Sequence, residues 1–160
     1  LVELSYVFGI AYTAATFPKL SSLYIEKSKK IYYLEYKKKL FLLAFFSVII
    51  CLLYLFSSHF LISLMTKESI NEIAAVLNIY CLACFSVYLG SILSKHLILT
   101  QRYKYILITA SLGGFSNIIL NLYMIPKFGI LGAAYGTLLS MGVTVILPGL
   151  FLFRDIKKWL

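Results

Sequence analysis

Acidic side chains are scarce in this chain, with six Asp and Glu among 160 residues against fifteen Lys and Arg. Charged residues of both signs make up only 13%, about half the share of an ordinary soluble domain, which excludes a water-covered globule. Cysteine occurs three times, at Cys51, Cys81 and Cys84, always within apolar runs. The one CxxC has no second CxxC and no His beside it, so small packing residues are a better reading than a metal or redox pair. No GxxxxGK[ST] stretch occurs, so no nucleotide is expected through a P-loop. The N-terminus lacks the basic region and small-residue cleavage site of a signal peptide.

What the chain does contain is apolar length. Hydrophobic residues make up 61% and the mean hydropathy is +0.91. Leu40–Met65, Ile73–Ser94, Tyr105–Pro126 and Phe128–Phe153 carry no Lys, Arg, Asp or Glu, and each is long enough to cross a hydrocarbon core as a helix. Leu4–Pro18 is also uncharged but short. The sequence opens on Leu rather than Met, so this run is expected to be the cut end of a further span and the chain a C-terminal piece of a longer protein. The fold expected is all-α: a polytopic membrane helical bundle of four full transmembrane helices plus a truncated N-terminal one. Residues 1–160 form a single partial transmembrane domain with spans at about 4–18, 40–65, 73–98, 105–126 and 130–153.

Thirteen of the fifteen basic residues fall in three places: Lys19 to Lys39, Lys95 to Lys104, and the tail after Phe153. Only Lys67 and Lys127 fall in the alternate loops. This alternation follows the positive-inside rule and sets the 19–39 segment, the Gln101–Lys104 turn and the C-terminus in the cytoplasm. The basic charge thus implies orientation and anionic lipid contact, not nucleic acid. Segment 19–39 is expected to be an amphipathic linker helix on the cytoplasmic surface, with Tyr24, Tyr32, Tyr33 and Tyr36 in the headgroup zone and the stripe interrupted at Lys27 and Ser28. Glu3 and His59 read as interfacial, the outer loop Thr66–Glu72 as short and mixed in charge, and Arg154–Trp159 as an anchor with Trp at the interface.

Two polar stripes stand out at helical spacing. Cys81, Cys84, Tyr88, Ser91 and Lys95 are spaced 3, 4, 3, 4, which puts them on one helix face. Thr109, Gly113, Asn117 and Asn121 recur every four residues. Polar groups gathered on one face of a membrane helix should look into the bundle or a wet cavity. For Lys95 a snorkelling lysine stands beside a substrate contact; for the asparagines, interhelical hydrogen bonding stands beside substrate binding. His96 lies elsewhere on its helix and carries little signal. After the asparagines, Pro126 should end the span, and Gly132, Gly136 and Ser140 follow at the spacing that admits a second helix closely. Pro126, Gly129, Gly132 and Gly136 form the expected hinge and helix-packing set, and Pro148-Gly149 should kink the last span.

The stretch NIILNLYMIPKFGILGAAYGTLLS resembles the hallmark of bacterial polysaccharide flippases: an Asn-containing helix, Ile-Pro-basic-aromatic-Gly, then Gly-Ala-Ala. These belong to the multidrug/oligosaccharidyl-lipid/polysaccharide exporter superfamily. TFPKLSSL before the basic segment and the TQRYKY turn agree with it. The resemblance implies two six-helix lobes around a central cavity, this chain supplying part of the second lobe. It implies transport of a polyprenyl-diphosphate-linked oligosaccharide across the cytoplasmic membrane by alternating access, for surface polysaccharide biosynthesis. In that reading the substrate-cavity candidates are Lys95, Tyr88, Ser91, Asn117 and Asn121, with Lys95 neutralising phosphate. No catalytic residue, metal or cofactor is expected, and the partners are the lipid bilayer and the lipid-linked glycan. A multidrug or cation antiporter of the same superfamily is the alternative, although no acid sits mid-span here. A non-transporting membrane scaffold is another. A membrane enzyme is disfavoured because the outer loops are short and lack a catalytic cluster.

Overall fold

The computed structural model describes residues 2–26, 29–65 and 70–159, and all of these regions are helical apart from one short turn. Four helices follow one another: α1 (Val2–Glu26), α2 (Lys29–Met65), α3 (Ile70–Leu99) and α4 (Tyr103–Trp159). The expected interruption at Lys27 and Ser28, residues 66–69 of the outer loop and the Trp159 side chain lie outside the described residues. Three helices are long and apolar enough to cross a membrane: Lys29–Leu64, Asn71–Leu99 and Tyr103–Lys158. The chain is therefore an all-helical bundle of the membrane kind. α1 is not among the three, because its apolar run stops at Pro18 and a polar turn and a half follows.

The helix α3 occupies the middle, packing against α1 and α2 on one side and α4 on the other. Leu20 and Leu23 of α1, Tyr32, Tyr36 and Leu43 of α2, Tyr88 and Ile92 of α3 and Leu152 of α4 meet in one buried cluster. A second cluster joins Val2, Cys51, Ile62, Ala74, Leu77, Cys81 and Cys84. All three cysteines are unoxidised and buried there, with the Cys51 thiol donating to the Cys81 carbonyl at 2.9 Å. Large apolar side chains such as Phe8, Phe56, Leu107 and Leu122 stay outside, as a lipid-facing surface requires.

The described residues of segment 19–39 are not set apart as a surface helix. The segment's first part, to Glu26, continues α1 straight through Pro18, and from Lys29 it forms the opening turns of α2. Tyr32 and Tyr36 are fully buried against α3 rather than set among headgroups. The reason is a local hydrogen-bond supply: the Tyr36 hydroxyl donates to the Ile92 carbonyl at 3.0 Å, so each ring can be buried without stranding its polar end.

The 57 residues of α4 would run to about 85 Å if straight, close to three hydrocarbon thicknesses. Instead the backbone breaks at Gly129 (φ 56°, ψ −134°) and doubles back, giving arms 103–128 and 130–159. The break falls three residues beyond Pro126, where it was expected. Proline removes one N–H from the ladder but keeps a helical φ, whereas a positive φ is a conformation that glycine adopts at little cost. Helical dihedrals also persist through Pro148. The arms cross where side chains are smallest. Asn117 Nδ2 donates to Ser140 Oγ at 3.0 Å, Gly136 lies under Asn121 and Gly113 beside Thr144, while Gly132 touches the Met124 carbonyl. These pairs step by four along each arm, so the line Gly132–Gly136–Ser140 faces the line Gly113–Asn117–Asn121 of the same helix.

A methyl group at Gly132 would overlap the Met124 backbone, while one at Gly114 would enter open space. Gly132→Ala is therefore expected to lower the melting temperature of the chain in detergent by several degrees. Gly114→Ala should leave it unchanged or raise it slightly, in line with the roughly 1 kcal/mol helix advantage of Ala. Thermal unfolding followed by circular dichroism compares the two, and equal effects would refute the close-packed hairpin.

Candidate functional site

Polar groups collect in two places, one at the basic end of the bundle and one within the α4 hairpin. The basic-end cluster begins with the turn between α3 and α4. Arg102 N–H donates to the Leu97 carbonyl at 2.8 Å and Gln101 N–H to the Ile98 carbonyl at 3.0 Å, the double closure of a Schellman cap. Gln101 takes the left-handed position (φ 57°) that the cap needs, at a cost of about 1–2 kcal/mol for a residue with a side chain. The turn carries Arg102 back toward the far end of α4.

There Arg102 grips Asp155 with both nitrogens of its fork, at 2.7 and 2.9 Å. Hydrogen bonding to that carboxylate holds the Arg102 guanidinium above its ordinary pKa. The other partner of Asp155 Oδ2 is His96 Nε2, at 3.0 Å, and His96 Nδ1 meets the Tyr32 hydroxyl at 2.9 Å. A carboxylate only accepts, so Nε2 carries a proton; in the neutral ring Nδ1 then accepts from Tyr32. His96 stacks on Tyr32 and meets Tyr36 edge-on, and Arg102 lies 4.9 Å from the Phe151 ring centroid. Asp155 is 3% and His96 0% exposed, so α2, α3, the turn and the end of α4 are joined by one buried polar chain.

The sequence reading did not single out Tyr32, Arg102 or Asp155 as a unit and gave His96 little weight. The signal available was charge economy. Asp155 is the only aspartate and the only acid after Glu72, set among Arg154, Lys157 and Lys158. An acid kept alone in a basic tail points to a specific cation, and Arg102 stands in the nearest turn.

The candidates chosen from sequence divide between two locations. Tyr88 is buried, its hydroxyl donating to the Ser5 carbonyl at 2.6 Å, and its ring lies on Gly9 of α1. Ser91 donates to the Tyr88 carbonyl of its own helix at 2.8 Å. Lys95, half-buried, holds its ammonium 5.2 Å from the Phe17 ring centroid. Tyr88 and Lys95 thus look toward α1. Asn117 and Asn121 sit in the hairpin instead. Asn121 Nδ2 donates to Asn117 Oδ1 at 3.0 Å, and Asn117 donates in turn to Ser140. Asn121 Oδ1 is buried with no hydrogen-bond partner among the described residues. Both asparagines, with Ile125 and Pro126, line an open groove of about 370 Å³. Thr109 is buried and donates to its own helix, to the Tyr105 carbonyl.

A second concavity, of about 260 Å³, lies between α3 and both arms of α4, with Ser86, Ser94, Thr109 and Thr144 on its wall. The hydroxyls of Ser94, Thr109 and Thr144 are turned to backbone carbonyls of their own helices. Among the described residues no cluster of three His, Cys, Asp or Glu could hold a metal ion.

No family model matches the chain, and neither a curated protein nor a solved structure matches it.

Removing the Asp155 carboxylate strands one buried ring N–H and a guanidinium. Asp155→Ala is expected to destabilise the chain by about 3–5 kcal/mol, while Glu35→Ala, which breaks only surface pairs with Lys19 and Lys38, should leave it nearly unchanged. Unfolding in detergent measures both. The double variant Arg102→Ala, Asp155→Ala should fall short of the summed single effects by about 1 kcal/mol or more; simple additivity would mean that the pair is not coupled.

Proposed function

We propose that this chain is part of a flippase that moves a polyprenyl-diphosphate-linked oligosaccharide across the bacterial cytoplasmic membrane by alternating access, for surface polysaccharide biosynthesis. In this reading the basic end and the C-terminus lie in the cytoplasm, and five helical rods cross the bilayer: α1, α2, α3 and the two arms of α4. The observation that carries the proposal is the unsatisfied Asn121 oxygen between the arms of a glycine-hinged hairpin. An orphan buried acceptor costs about 1–3 kcal/mol, and a resting structure has little reason to keep one. A sugar hydroxyl entering the groove along Asn117, Asn121 and Pro126 supplies the missing donor, and so does a shift of one arm along the other.

Lys95, at the basic end beside α1, meets the diphosphate on entry. A diphosphate is best held by a cation in a partly dry setting, and the aromatic face of Phe17 offers the ammonium a resting place that phosphate can outbid. Sugars follow toward the asparagines. The hairpin flexes about Gly129 while the buried Asp155 network keeps the cytoplasmic ends of α2, α3 and α4 together, so that one body rocks rather than dissolves.

Bacteria whose own gene carries Lys95→Ala or Asn121→Ala, at normal protein level, are expected to display about tenfold less surface glycan, the equivalent of one lost charge-assisted or buried hydrogen bond. Lipid-linked glycan should accumulate on the inner leaflet and drug susceptibility should not change. Wild-type surface glycan in both variants would overturn the proposal, and altered drug susceptibility alone would favour a multidrug exporter.

A further inference from the structure

A groove of about 470 Å³ runs along the outside of the bundle where α1 and α2 diverge over α3. Phe8 and Tyr12 form one wall, Leu42, Phe46 and Ile50 the other, and the Tyr88 ring the floor. The floor offers nothing polar, since the Tyr88 hydroxyl is committed to the Ser5 carbonyl. Gly9 is what admits that ring so deeply: any side chain there would collide with it. Phe8 and Phe46 are 73% and 49% exposed, so the groove opens sideways, toward lipid, rather than into the bundle.

Its length and its charge both have a direction. From Lys39, one turn before Leu42, to Ile50 is about 16 Å of helix, half the roughly 30 Å hydrocarbon core and so the depth of one leaflet. At the basic mouth the Lys39 ammonium lies 5.6 Å from the Tyr12 ring centroid. Lys37 and Lys38 are exposed beside it, and the nearby acid, Glu35, is engaged by Lys38 at 3.3 Å and Lys19 at 3.8 Å. The mouth is therefore net positive.

We propose that this groove is a binding site for an anionic glycerophospholipid of the leaflet at the basic end, one acyl chain lying along Tyr88 and the phosphate held by Lys39 over Tyr12. The apolar walls provide affinity for a chain of any headgroup, and Lys39 selects the charge. This site is separate from the hairpin groove and does not depend on what the protein transports.

The purified chain in detergent, supplied with phosphatidylglycerol or phosphatidylcholine of matched acyl chains, provides the test by native mass spectrometry. One phosphatidylglycerol should remain bound at activation energies that strip phosphatidylcholine. Lys39→Gln should lower that retained fraction about fivefold, the effect of one lysine at an anionic membrane surface, whereas Lys30→Gln, exposed and away from the groove, should not. Phe46→Ser, half-exposed and hence tolerated by the fold, should weaken retention of both lipids, as should groove-filling Leu42→Trp where circular dichroism shows intact helix. Wild-type retention in Lys39→Gln, an equal loss in Lys30→Gln, or displacement of the phospholipid by equimolar polyprenyl phosphate would each overturn the assignment.

Discussion

A carboxylate withdrawn from water has to be matched oxygen by oxygen, and meeting that demand at Asp155 organises one whole end of the bundle. Two guanidinium nitrogens and one imidazole nitrogen converge on it, and each donor comes from a part of the chain that must be in place for the geometry to hold. The α3 helix has to end in a tight cap, with Gln101 in the left-handed region, or Arg102 would point elsewhere. Tyr32 has to stand behind His96, which is why the opening turns of α2 are drawn inward instead of lying on a membrane surface. Ion pairs of this kind add little net stability over an apolar core of the same shape. What they do is forbid the alternatives: a helix slid by one turn would leave a buried charge unpaired.

The hairpin of α4 works by the opposite principle. Beyond the Arg102–Asp155 clamp at its open end, closeness rather than charge holds the described residues of its arms together. Gly132 and Gly136 let the second arm approach the first until Met124 and Asn121 touch it, and in hydrocarbon such packing replaces the hydrophobic force that is missing between helices in lipid. Asn117 and Ser140 add a hydrogen bond across the gap, and Tyr80 of α3 ties in through Thr137 at 3.3 Å. The turn itself is a single residue, Gly129.

Much of this was legible in the sequence, for reasons that are local. Uncharged runs of membrane length follow from solvation alone, and stripes at a period near 3.6 show which residues share a face. The stripe ending at Lys95 and the one ending at Asn121 are each on one face, yet they look at different neighbours, α1 and α2 in one case and the other arm of α4 in the other. Periodicity says that a face is special but not what lies opposite. The position of the break shows a similar limit. Pro126 is the louder signal, but proline is compatible with helical φ, and it is Gly129 that takes the positive φ. The Tyr32–His96–Arg102–Asp155 chain was beyond reach for another reason: its bonded partners are 53 to 64 residues apart and belong to no repeat. Only the isolation of Asp155 among basic residues hinted that it had a private partner.

The two polar centres therefore divide stiffness between them. Around Asp155 each of the bonds drawn to the carboxylate is made within ordinary hydrogen-bond distance, so any displacement of α2, α3 or the end of α4 breaks several at once. Around Asn121 one acceptor is already unsatisfied, so a displacement of the arms has less to lose and a donor to gain. The contacts that resist such a displacement are van der Waals contacts between glycines and their neighbours, individually worth a fraction of a kcal/mol. Displacement in this chain thus breaks least at the Gly129 hairpin and most at the basic end.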